Sequence, residues 1–370
     1  SGPERLAEGI RRGDRPDASA RRGAHVVAIC SAIEAAAETG VSIAVPNDGF
    51  ETLTPTAPPI RPHSGPANEG VTRASARTAA IRLPPIGFGC SRYRDGEYVD
   101  RIDSIATALD AGYRLLDSAE LYGNEARIGD LLASPGTPDR DGLFLVSKVW
   151  NTNHDHVAEA CEGTLADLGV DALDCYMLHW PDSWAYQGPL RELAERTPTE
   201  QEALTFPTDD EGARVTADVS LPAAWRQLEE LHDRGLTRTL GLCNVSVSEL
   251  TTLAATARVL PAVVQVESHP YLPQTELVEA CHERGIRVVA HSPLSAPGLL
   301  DEPVVEEIAE THSVGPAAVV LAWQVQRGVV PIPASNEPAH IVDNLAAARL
   351  RLSPAERAQI DTLADPDFER

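Results

Sequence analysis

Eight short apolar runs, each followed by a stretch with helical spacing, constrain this chain more than any other feature. The runs lie at 83–89, 113–119, 143–149, 172–180, 239–245, 263–269, 287–294 and 329–335. Helical patterns fall near 99–111, 125–133, 155–168, 222–234, 247–257, 274–284, 302–312, 316–327 and 337–348. Apolar runs of strand length separated by helices make βα units, and βα units make a parallel sheet. Eight units over about 270 residues predict a (β/α)8 TIM barrel with its site at the C-terminal ends of the strands. A doubly wound open sheet is the rival fold. It needs a G-x-G-x-x-G turn after a strand, and Gly87-Phe88-Gly89 lacks the third glycine.

The barrel region, 81–370, carries the whole charge imbalance. The chain holds 31 basic and 55 acidic residues, net −24, whereas residues 1–80 hold nine Arg and nine acidic residues. That contrast places a boundary near residue 80. Before it, helical patterns near 3–12 and 17–39 predict a helical extension over 1–53. Five prolines between Pro55 and Pro66, then small polar residues, predict a linker or arm over 54–80. No chemistry is readable in 1–80.

So acidic a surface excludes nucleic acid and anionic membrane as main partners. No apolar run reaches the ~18 residues of a membrane helix. The Arg21-Arg22 stretch imitates a signal peptide, but Glu34 interrupts it. The chain opens Ser-Gly without a methionine, as a trimmed start would. The cysteines, Cys30, Cys90, Cys161, Cys175, Cys243 and Cys281, form no C-x-x-C pair and no metal-ligand spacing. A reducing, cytoplasmic setting without a metal is expected.

Polar residues end the predicted strands. Asp117 ends the second, with Tyr122 five residues on; Lys148 ends the third and His179 the fourth. An acid, a phenol, an amine and an imidazole thus face one barrel mouth. Lys148 is the only lysine; the other 30 basic residues are Arg. An amine kept between Leu145, Val146, Val149 and Trp150 marks a position where a guanidinium cannot substitute, because only lysine is compact and tunable. A buried ammonium needs a counter-charge, and Asp117 is fitted to supply it.

Eight segments together resemble the aldo-keto reductase family. They are Gly112-Tyr113-Arg114-Leu115-Leu116-Asp117-Ser118-Ala119, Tyr122-Gly123-Asn124-Glu125, Ser147-Lys148-Val149-Trp150, Leu178-His179-Trp180-Pro181, Gly241-Leu242-Cys243-Asn244, Gln265-Val266-Glu267-Ser268-His269-Pro270-Tyr271, His291-Ser292-Pro293-Leu294 and Pro331-Ile332-Pro333-Ala334-Ser335. The resemblance runs from about 81 to 364 and implies NAD(P)H-dependent reduction of an aldehyde or ketone without a metal. By that resemblance Tyr122 donates the proton, Lys148 and Asp117 tune it, and His179 orients the carbonyl. Stabilising the phenol's anion is the part assigned to Lys148.

The resemblance also implies cofactor contacts from Cys243, Asn244, Gln265, His291, Ser292, Leu294, Ser335, Asn336, His340 and Asn344. Cys243 stands where the family often has Ser, and His291 where it usually has Tyr. Ala334 and His340 occupy the places of a Lys and an Arg that clamp the 2′-phosphate, so NADH is expected to be accepted at least as well as NADPH. Trp150 and Trp180 are expected to wall the substrate pocket, with Ser91 replacing a common aromatic and Tyr93 nearby. The insertion between Pro181 and Leu221, with Trp184, Tyr186 and Phe206, is expected to cover the mouth. The partner expected is a small carbonyl compound, and the assembly a monomer or small homo-oligomer. Two rival readings remain: a non-catalytic cofactor-binding barrel, and alcohol oxidation in the reverse direction.

Overall fold

Eight parallel strands form one sheet whose spatial order is their order in sequence. They are β1 (Phe88–Gly89), β2 (Leu115–Asp117), β3 (Phe144–Val149), β4 (Leu173–Leu178), β5 (Thr237–Cys243), β6 (Val263–Glu267), β7 (Arg287–His291) and β8 (Val329–Pro331). Seven fall inside one of the eight apolar runs, and β5 overlaps its run, 239–245, but starts two residues earlier. The backbone N–H of Gly87 donates to the Pro331 carbonyl (3.0 Å) and that of Gly89 to the Pro333 carbonyl (3.2 Å). Those two bonds join the first strand to the last and close the sheet into a barrel. In this computed structural model the described residues are 81–91, 93–94, 97–98, 101–191 and 193–368. The helical extension over 1–53, the arm over 54–80 and the boundary between them lie outside the described residues.

The helices that cover the barrel are α1 (Ile102–Ala111), α2 (Glu125–Leu132), α3 (Val157–Leu168), α5 (Leu221–Asp233), α6 (Val247–Thr256), α7 (Thr275–Glu283), α8 (Pro303–His312), α9 (Pro316–Gln326) and α10 (Pro338–Ala346). Two more were not foreseen: α4 (Pro198–Thr205), inside the insertion, and α11 (Pro354–Asp361), near the end of the chain. Both open on a reciprocal cap, Thr197 with Glu200 and Ser353 with Glu356. Such a cap satisfies two amide groups that a short helix would otherwise leave open. Among the described residues, no helix is long and apolar enough to cross a membrane.

Side chains alternate along a strand, and this sets the site. The barrel interior is packed by Leu115, Val146, Cys175, Met177, Val263, Val289, Val330 and Ile332, with Ile81 and Leu83 against them. Two residues beyond five of these, on the same face, stand Asp117, Lys148, His179, Gln265 and His291. The apolar filling thus gives way, one layer higher, to a polar layer at the C-terminal mouth. A second apolar shell joins the outer faces of the strands to the helices, with Phe88, Tyr113, Tyr176, Leu240 and Trp225 in it.

Gly129 lets α2 lie on the end of α3. A Cβ there would stand 2.2 Å from the Asp167 backbone carbonyl oxygen and 2.9 Å from the Leu168 carbonyl carbon. Backbone cannot swing aside as a flexible side chain can. Gly129→Ala is therefore expected to destabilise the fold by about 2–3 kcal/mol in urea unfolding, although alanine is the better helix former. A midpoint equal to or above that of the unaltered protein would show that the two helices separate freely.

Candidate active site

Asp117, Lys148 and His179, at the ends of the second to fourth strands, meet Tyr122 at the mouth. The Lys148 ammonium is wholly buried, and it donates to Asp117 Oδ1 (2.5 Å) and to the Ser118 carbonyl (2.8 Å). Gln265 Nε2 donates to Asp117 Oδ2 (2.6 Å), so both carboxylate oxygens are held. Lys148 Nζ lies 5.3 Å from the Tyr122 ring centroid. The Tyr122 and His179 rings meet edge to face with centroids 6.0 Å apart. Tyr122 sits at the end of a short 3-10 turn, Glu120–Tyr122, which Gly123 closes in a left-handed conformation (φ 62°).

Burial and charge set the protonation states. Burial alone would push the Lys148 ammonium down, but the Asp117 carboxylate beside it reverses the sign, and Lys148 stays charged. Burial pushes the Tyr122 phenol up to about 12, against the downward pull of Lys148 and with a further upward push from Asp117. Lys148 thus pulls in the direction expected of it, favouring the anion, while burial outweighs it and the phenol holds its proton. Burial first, then Lys148, His291 and His154, drive His179 well below the ordinary imidazole range, so its ring is neutral.

The fifth to seventh strand ends bring part of the expected cofactor set to the same mouth. Asn244 Nδ2 donates to the His179 carbonyl (2.9 Å) and to Cys243 Sγ (3.2 Å), and its Oδ1 faces His291 Nε2 (2.9 Å). With the amide so oriented, His291 carries its hydrogen on Nε2. Cys243 Sγ donates to Gln265 Oε1 (3.7 Å), and Ser292 Oγ lies 3.2 Å from His291 Nδ1. Asn244 and Ser292 hold left-handed backbone (φ 56° and 51°), which non-glycine residues seldom adopt. Asn244 Oδ1 keeps a lone pair, and Gln265 keeps an N–H and a lone pair, so both amides can still bind a carboxamide. This polar rim fits a nicotinamide.

The remaining cofactor positions sit further out. Leu294 follows β7, while Ser335, Asn336, His340 and Asn344 lie on the loop after β8 and on α10. Asn344 is buried, His340 is exposed, and Asn336 Oδ1 accepts from Arg101 Nη1 (2.8 Å) and Ser104 Oγ (3.2 Å). Of the substrate-wall residues, Trp150 is buried and stands edge-on to His179 at 5.0 Å, whereas Trp180 is 37% exposed at the rim. Tyr93 belongs to a two-stranded ribbon after β1, and its side chain lies outside what is described. The insertion does reach the mouth: Trp184 and Phe206 pack edge-on against Trp150 at 5.4 and 5.7 Å. The Trp150 indole donates to the Thr205 carbonyl (2.8 Å), tying the insertion down.

Glu120 is a residue that the sequence reading passed over. Its buried carboxylate accepts from the Trp150 backbone N–H and from Asn153 Nδ2 (3.0 Å), pinning the turn that carries Tyr122 to the loop after β3. Burial pushes it up to about 8, against those two donors and with a further push from Glu125. It borders a cleft of about 740 Å³ outside the barrel, through which protons can exchange. A carboxyl raised from 4.5 to about 8 binds more protons folded than unfolded across that interval. Its contribution to stability is full at low pH and is lost as pH rises towards 8. Glu120→Gln should flatten this fall, because Asn153 Oδ1, now without a partner, can turn to accept from the new amide. Thermal unfolding at pH 5.5 and 8.5 tests it: an unchanged difference between the two pH values would assign the slope elsewhere.

Comparison with known proteins agrees with this geometry. A family model described as "Aldo/keto reductase family" matches residues 85–365. "Aldo-keto reductase family 1 member A1" of Mus musculus is 38% identical over 298 residues, covering 76% of this chain and 86% of that protein. The Homo sapiens protein of that name is 36% identical over the same share of each. Among solved structures, the aldose reductase of Schistosoma japonicum superposes with a TM-score of 0.68 at 33% identity, covering 78% of this chain and 91% of its own. That of Giardia Lamblia gives 0.67 at 30% identity, covering 77% and 94%.

Proposed function

The chain belongs to the aldo/keto reductase family, and from that premise we propose that it reduces an aldehyde or ketone to an alcohol with NAD(P)H, Tyr122 giving the proton. The observation that carries this reading is the buried Asp117–Lys148 pair set against the half-buried Tyr122, with a neutral His179 edge-on to the phenol.

Bound at this mouth, a nicotinamide cofactor would supply the hydride. Asn244 and Gln265 would hold its carboxamide, and His291, with Ser292 behind it, would face its ring. His179, being neutral, donates one N–H to the carbonyl oxygen of the substrate and polarises it. Tyr122 holds its proton until negative charge builds on that oxygen, then passes it over. The phenolate left behind stands beside a permanently charged ammonium, and this favours the transfer when the alkoxide forms. Asp117 keeps the ammonium in place. Trp150 excludes water on one side, and the insertion extends that wall. Oxidation of NADH or NADPH measured against a panel of aldehydes and ketones tests the reading; the absence of turnover with every carbonyl and both cofactors would overturn it.

The cofactor preference follows from the loop after β8. Ala334 and His340 stand in place of two cations, and Arg101, which reaches this loop, is engaged with Asn336 and the Ser91 carbonyl. Charge-assisted bonds to a phosphate are worth about 1.5–3 kcal/mol each. NADH is therefore expected to bind comparably to NADPH or better. Kd values for the two by cofactor fluorescence check this, and a preference above a hundredfold for NADPH refutes it.

A further inference from the structure

The insertion carries a cation at the mouth. Its segment 213–217 is held from both sides: the Ala185 N–H donates to the Val215 carbonyl (2.9 Å) and the Ala217 N–H to the Ser183 carbonyl (2.9 Å). On the other side the Val215 N–H donates to the Pro207 carbonyl (3.0 Å) and the Asp209 N–H to the Ala213 carbonyl (2.9 Å). Arg214 sits in that segment. Its guanidinium carbon lies 4.5 Å from the Trp184 ring centroid and 4.9 Å from that of Phe206. Those two rings are the ones packed on Trp150, which is edge-on to His179. A continuous aromatic path therefore runs from the proposed reacting centre to one exposed arginine. Phe206, 37% exposed, and Val215, 36% exposed, flank it with apolar surface.

Among the described residues, Arg214 has no carboxylate partner within 4.0 Å. The nearest acidic run, Asp209-Asp210-Glu211, does not serve it as a pair. Asp209 Oδ1 is turned back to accept from the backbone N–H groups of Glu211 (3.0 Å) and Ala213 (2.9 Å). A guanidinium held over two rings by its central carbon keeps N–H groups around its edge to receive a carboxylate. Stacking also fixes the side chain in advance, which lowers the entropy cost of binding. In a chain of net charge −24, a cation so placed offsets the repulsion that an anionic substrate meets on approach.

We propose that Arg214 is an anion subsite of the active-site mouth, and that the substrates favoured are carbonyl compounds whose far end bears a carboxylate, joined to the carbonyl by an apolar spacer lying on Trp150 and Phe206. The proposal deepens the reductase reading and rests on it for the carbonyl end only. Arginine contributes through charge and geometry together, so lysine at this position restores the preference in part and methionine not at all.

The test uses a chain-length series of ω-oxo carboxylates, each beside its neutral methyl ester. The unaltered protein should favour the acid over the ester by about tenfold in kcat/KM at the best length, the difference residing in KM, as expected for a partly exposed charge-assisted contact. Arg214→Met should bring the acid-to-ester ratio to about one, and Arg214→Lys should recover part of it. Equal handling of acid and ester by the unaltered protein overturns the proposal. So does a loss in Arg214→Met shared equally by both, which would make the arginine a clip for the insertion. A binding measurement separates this proposal from the reductase reading. Quenching of tryptophan fluorescence by decanoate and by decanol, without cofactor or reaction, should show tighter decanoate binding that Arg214→Met abolishes. Decanoate selectivity in a protein that turns over no carbonyl would keep the subsite and discard the reductase; turnover without selectivity would do the reverse.

Discussion

Lys148→Met is expected to lower kcat/KM for carbonyl reduction by about a thousandfold, with Tyr122→Phe close behind and cofactor Kd changed by less than about fivefold in either. A positioned general acid contributes 10²–10⁴ in rate, and Tyr122→Phe removes it outright. Lys148→Met leaves the phenol in place but deletes the one influence that most strongly opposes its rise. Burial already holds the phenol at about 12 with Lys148 present, and Asp117, no longer paired, pushes the same way. The phenol without the ammonium is a weaker acid whose anion has no counter-charge. The two variants should therefore differ in pH response. Residual turnover in Tyr122→Phe should not report the phenol at all, whereas that in Lys148→Met should fall where alkaline pH ionises the phenol, because only the protonated phenol can deliver the proton that reduction consumes. Lys148→Met turnover within tenfold of the unaltered protein, on a chain shown folded by circular dichroism, would remove Tyr122 as the proton source.

The eight strands were legible because a barrel strand buries both faces and reads as an unbroken apolar run. The ends were not. The 83–89 run shrinks to Phe88–Gly89 and the 329–335 run to Val329–Pro331. Pro84, Pro85, Pro331 and Pro333 each lack the N–H that a ladder needs. The unforeseen helices α4 and α11 had a signal, Thr197-Pro198-Thr199-Glu200 and Ser353-Pro354-Ala355-Glu356, but too few apolar positions for periodicity to show them. Within the site, the polar layer followed from alternation, since Asp117, Lys148 and His179 each sit two residues beyond an inward apolar residue. Glu120 and Arg214 could not be read in that way. Glu120 meets its partners 30 and 33 residues away, and Arg214 acquires its role only once the insertion folds Trp184 and Phe206 against Trp150. Glu125, which sequence presents as part of a motif, turns out to be a clamp: Ser147 Oγ (2.6 Å) and Thr164 Oγ1 (2.8 Å) donate to its two oxygens.

Asp117→Asn should cost about 3–5 kcal/mol of unfolding free energy, more than the loss of either hydrogen bond would explain. Asp117 is 2% exposed and Lys148 wholly buried. Removing the charge from one leaves the other desolvated against a carbonyl dipole, and an uncompensated buried charge is costlier than a missing pair. The double variant Asp117→Asn/Lys148→Met should consequently be more stable than Asp117→Asn alone, with a coupling of about 2 kcal/mol in the cycle. The pH dependence must also change sign. In the unaltered protein Lys148 is raised above its ordinary value, so the stability it contributes is full below about 10.5 and is lost as pH climbs beyond. In Asp117→Asn the balance is reversed: burial pushes the ammonium down with no carboxylate to oppose it. The unfolded chain then binds more protons than the folded one, and stability should rise with pH up to about 10.4. Urea unfolding at pH 7, 8.5 and 10 distinguishes the two slopes. Parallel slopes, or a double variant weaker than Asp117→Asn, would mean that the lysine finds another counter-charge and that Asp117 does not hold it.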